Sequence, residues 1–120
     1  MAFDVEVKAV ARVFADPLLA RKNQEADGRF WDGRSLDPVE LLQAASRWSS
    51  SERALAQLAA ELWGYSFAPD EPRISLIDAC DGMEQRVLVC VLEAVALRAG
   101  LMTPEHKLGL SVREATAAVD

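Results

Sequence analysis

Four times along this chain a serine or aspartate stands immediately before an apolar-periodic run, with an acidic residue three positions on: Ser49 with Glu52, Ser75 with Asp78, Asp81 with Glu84, and Ser111 with Glu114. Such a pair sets a side-chain acceptor over the free amides of a first helical turn and a negative charge at its positive end. A fifth start lies at Asp37-Pro38, because proline at the first helical position removes an N–H that has no partner anyway. Gly64 and Gly100 supply stops. Punctuation of this kind is difficult to reconcile with a sheet protein.

The runs between these signals carry a helical period. Val39, Leu42, Ala45 and Trp48 share one face over 38–48, and Leu55, Leu58, Ala59 and Leu62 form a stripe after the Trp48-Ser49-Ser50 break. The short connection makes the two helices a hairpin or a helix-turn-helix. Residues 87–92 are apolar on every side and could pair as a buried strand. The capped length from Asp81 to Gly100 favours a helix of about five turns instead. At the N-terminus Phe3, Val5 and Val7 alternate as in a strand while Phe3, Val7, Val10 and Phe14 fit a helical stripe; a helix to about Ala15, broken before Pro17, is preferred, with a short second helix over 18–22, and residues 23–36 read as irregular. The expectation is an all-α protein, a compact bundle of five to six helices around a central buried helix at about 82–99, forming one domain over 1–120. Leu42, Trp48, Leu55, Leu58, Leu62, Val87, Val91 and Val95 are the expected core.

With 51% apolar and 27% charged residues, 120 residues suffice for a core without staples. No stretch reaches the length of a membrane helix, and the opening Phe3-Asp4-Val5-Glu6 carries acids where an export signal carries bases, so a cytoplasmic protein is expected. The net charge of −6 is uneven: nine acids face eight bases in residues 1–60, and ten face five in residues 61–120. The acidic excess around Asp70, Glu71, Asp78 and Asp81 repels a phosphate backbone and suits a basic or nucleic-acid-binding protein partner. Ten arginines against three lysines, with abundant alanine, point to a GC-rich bacterial gene.

Residues that commonly carry chemistry are sparse. His106 has no second histidine three or four residues away, which leaves no zinc pair. Cys80 lies beside Asp78 and Asp81, whose charges disfavour a thiolate, and Cys90 sits in an apolar run, so both are expected as inert, reduced thiols. The stretch from Asp78 to Gly82 loosely follows a calcium loop, but its twelfth position is Val89 where a glutamate is needed. No phosphate-binding glycine loop or nucleophile elbow occurs. The expectation is a protein with no enzymatic activity, no cofactor and no metal.

Two functional readings remain. In the first, residues 41–60 form a DNA-binding helix-turn-helix with Ala45, Trp48, Leu55 and Leu58 inside. Its recognition helix would open Ser50-Ser51-Glu52-Arg53, with one base and an acid where phosphates approach. In the second, preferred reading the protein binds another protein, as an accessory subunit or as a small acidic inhibitor of phage or plasmid origin; association with further copies of itself stays open. Its expected contact residues are Arg29, Phe30, Trp31 and Arg34, a glycine-bracketed aromatic pair flanked by arginines, together with Asp70, Glu71, Asp78 and Asp81. The competing reading folds Phe30 and Trp31 back as a core plug, which the rarity of isolated exposed tryptophans favours slightly over exposure.

Overall fold

A computed structural model describes residues 4–71 and 73–105, which form six helices: α1 (Asp4–Phe14), α2 (Pro17–Glu25), α3 (Pro38–Ala45), α4 (Ser50–Trp63), α5 (Leu76–Cys80) and α6 (Gln85–Arg98). The chain is an all-α bundle. The expected cap at Ser111 and the residue His106 lie outside the described residues.

Local chemistry explains most of the boundaries. Asp16 accepts a hydrogen bond from the Leu18 N–H at 3.0 Å and Pro17 opens α2, so α1 and α2 part where the proline predicted. α2 then runs on to Glu25, past the expected end. Asp37 caps α3 through the Glu40 N–H at 3.1 Å. At α4 the box closes in both directions, with Glu52 N–H to Ser49 Oγ at 3.3 Å and Ser49 N–H to Glu52 Oε1 at 3.0 Å. Burial works against charge on Glu52, but hydrogen bonding to Ser49 and the nearby Lys22 and Arg21 outweigh it and hold its carboxyl below the usual range. Gly64, at φ 101°, ends α4 in the left-handed conformation, and Tyr65 N–H returns to Ala60 O.

The Asp81–Glu84 start does not form. Asp81 is still turning out of α5, with helical φ and ψ and its N–H given to Ala79 and Asp78 carbonyls, whereas a capping residue needs an extended backbone. α6 begins one turn later after Glu84, whose side chain makes no cap hydrogen bond.

The most enclosed helix is α4, which touches α1, α2, α3, α5 and α6. Seven of its residues are buried, and four of them are alanines (Ala54, Ala56, Ala59, Ala60) that let neighbouring backbones approach on several sides. α6, expected at the centre, instead packs one side against α1 and α4 through Val87, Cys90, Val91, Ala94 and Leu97. Its opposite side is open: Leu92 is 52% exposed and Val95, an expected core residue, 43%. α3 is rotated from its predicted register, since Leu41 is fully buried while Leu42 is half-buried and Val39 faces out. No helix among the described residues is long and apolar enough to cross a membrane.

Two partly buried ion pairs join the ends of the bundle. Arg12 of α1 meets Glu93 of α6 at 3.2 Å and donates to the Pro104 carbonyl at 2.6 Å. Arg98 lies 3.4 Å from Glu6 and donates to the Leu62 carbonyl at 2.9 Å.

Candidate functional site

The segment following Gly64 is organised by its own side chains. The Tyr65 hydroxyl donates to the Glu71 carboxylate at 3.1 Å, and Glu71 also accepts from the Ala68 N–H at 3.0 Å. Burial and the adjoining carboxylate both raise the Tyr65 phenol above its ordinary range. The Tyr65 ring stands edge-on to Phe67, and the Arg73 guanidinium lies 5.5 Å from the Phe67 ring centre. One side chain fastens the segment to α4: the Gln57 amide donates to the Ile74 carbonyl at 2.7 Å and accepts from the Ile74 N–H at 2.6 Å. Only an amide side chain offers donor and acceptor together in the manner of a neighbouring strand.

Between this segment and α3 lies a cleft. One hollow, of about 370 Å³, is lined by Leu42, Ala45, Phe67 and Ile74 with Arg53 and Arg73 at its edge. A second, of about 490 Å³, is lined by Val39, Leu42, Gln43, Tyr65 and Ala68 with Asp70. Leu42 and Glu71 belong to both. Val39 is 52% exposed, and Leu42, Phe67 and Ile74 are half-buried. The apolar stripe that the sequence assigned to the core thus divides: Ala45 goes inward, while Val39 and Leu42 floor the cleft.

The residues nominated from sequence separate into three groups. Asp70 and Glu71 lie in the cleft, Asp70 exposed and Glu71 spent on Tyr65 and Ala68. Asp78 and Asp81 are exposed on and just beyond α5. Arg29 and Arg34 are exposed on the loop after α2, Arg29 donating to the Ala26 carbonyl at 3.1 Å and lying 3.9 Å from Glu40. Phe30 and Trp31 are 4% and 8% exposed and belong to the core. Trp31 stacks on Phe14 and meets Trp63 edge-on, and Phe30 meets Trp48 edge-on. Their nomination as contact residues assumed that they had no local role, and this packing corrects it.

Asn23 is the reason they turn inward. Its Oδ1 accepts from the Phe30 and Trp31 N–H groups at 3.2 and 3.1 Å, and its Nδ2 donates to the Trp31 carbonyl at 2.8 Å. Across the turn, Asp32 accepts from the Arg34 and Ser35 N–H groups, which lowers its pKa. A single bridge between Trp31 and Leu36 closes the loop.

Among the described residues no three His, Cys, Asp or Glu side chains converge as a metal site. The Cys90 thiol donates to the Arg12 carbonyl at 3.4 Å. Burial, reinforced by Asp16 and Glu93 and opposed by Arg12 and Arg86, pushes it up to about 12, which disfavours the thiolate. The cleft can hold an apolar side chain and pair with charge at either end. Compared with protein-family models, curated proteins and solved structures, the chain matches none.

Proposed function

We propose that this protein is a non-enzymatic interaction module of the cytoplasm that acts by binding another protein, as an accessory subunit or inhibitor, and receives part of that partner in the cleft between α3 and residues 65–74. The observation that carries this reading is an apolar floor left open: Val39, Leu42, Phe67 and Ile74 remain accessible although the bordering segment is fastened at Gln57 and Glu71. Apolar side chains held apart by a braced wall suit a partner's side chain.

α4 weighs against the helix-turn-helix alternative. A recognition helix needs a free face for the groove. Here half of the α4 residues are buried, and Gln57 on its outward side is bonded to Ile74.

Site-directed photo-crosslinking in the native host tests the proposal. A crosslinker at Val39 should yield one discrete protein adduct, which Leu42→Asp abolishes, while a crosslinker at exposed Gln24 on α2 yields none. Equal adducts from both positions, or micromolar sequence-specific binding of duplex DNA at physiological salt, would overturn it.

A further inference from the structure

The acidic composition predicts a basic partner, but one hollow of the cleft sets two arginines against a single glutamate, while Asp70 borders the other. Arg53 and Arg73 both border the 370 Å³ hollow, and neither takes part in an ion pair among the described residues. Both are exposed. The one carboxylate in the same lining, Glu71, is engaged by the Tyr65 hydroxyl and the Ala68 N–H. Arg21, Arg34 and Arg47 likewise make no ion pair among the described residues, so what distinguishes Arg53 and Arg73 is their place beside an apolar floor. Guanidinium groups match carboxylates in shape and charge, and their planar faces tolerate aromatic neighbours, as Arg73 does over Phe67.

Resting on the interaction-module reading, we propose that the cleft selects an acidic, apolar peptide segment: a Leu, Ile, Met or Phe side chain seats against Leu42, Phe67 and Ile74 while a neighbouring Asp or Glu carboxylate meets Arg53 and Arg73. The general negative charge of the protein slows the approach of such a segment, and the two arginines supply the short-range attraction that fixes its register.

Panning a random peptide display library on the intact protein, followed by fluorescence anisotropy with a synthetic peptide of the enriched pattern, tests this. Enriched peptides should pair Asp or Glu with a large apolar residue. The double variant Arg53→Glu, Arg73→Glu should weaken binding at least about tenfold with the helical circular dichroism spectrum retained, because both side chains are exposed. Affinity should also fall as salt rises from about 50 to about 500 mM. Apolar peptides that are neutral or basic, bound equally by the double variant, would overturn the charge selection and leave the cleft standing as a docking site. Failure to enrich any peptide, or binding that ignores both Val39→Asp and Leu42→Asp, would instead remove the cleft reading itself.

Discussion

α4 and α6 are each fourteen residues long and rich in alanine and leucine, yet one packs against all five other helices and the other lies along an edge. α4 alternates small and large residues, closes a reciprocal cap at Ser49 and stops on Gly64. α6 carries larger, β-branched residues around its circumference, starts without a side-chain cap, and leaves Leu92 and Val95 in solvent. The lesson concerns shape more than hydropathy. A central helix must admit several neighbours at close range, and alanine permits that where valine holds them away.

The largest expected effect contrasts the two directly. Leu55→Ala in α4 removes a fully buried side chain and should cost about 2–5 kcal/mol. Leu92→Ala in α6 should change stability by less than about 0.5 kcal/mol. Chemical denaturation of both variants decides it, and equal losses would break the contrast. Overpacking comes next: Ala59→Leu should cost about 1–3 kcal/mol because nothing around a fully buried alanine can give way, whereas Val95→Leu should be nearly neutral. The helix starts differ more modestly. Ser49→Ala should lose about 1 kcal/mol, while Glu84→Ser should gain up to about 1 kcal/mol by supplying the missing cap, both read from thermal unfolding.

The last effect, a loss of stability, is absent at neutral pH and confined to alkali. Because the Cys90 thiol is raised from its ordinary 9.0 to about 12, the folded chain keeps a proton that the unfolded chain gives up. Its contribution to stability is therefore complete below pH 9 and is lost as pH rises from 9 towards about 12. Cys90→Ala should flatten that part of the stability profile. At pH near 8, alkylation of the folded protein should label half-buried Cys80 and spare Cys90.

Helix ends were legible wherever the determining chemistry is local. Asp37-Pro38, Ser49 with Glu52, Gly64 and Gly100 all act within one turn of their own position, and all stand where the pattern placed them. Facing was harder to read. Leu41 and Leu42 are adjacent and equally apolar, so periodicity alone cannot say which goes inward. The fate of Phe30 and Trp31 depends on Asn23, a polar residue seven and eight positions upstream with no signature of its own. The cleft was least legible, since its wall depends on a Gln57–Ile74 bond between residues 17 apart, and its two arginines come together only where α4 and the segment after it meet. Of the cleft's residues, the sequence singled out only Asp70 and Glu71 as contact residues.

The Arg12–Glu93 pair also imposes an order in time. The two residues are separated by 81 positions. On a ribosome adding about 5–20 residues per second, α1 emerges roughly 4–16 seconds before its partner on α6 exists. For most of that interval α2 is the sole neighbour already made, α4 following only once Trp63 has been added, and the arginine must wait in water. The nascent chain is therefore exposed to aggregation until α6 arrives.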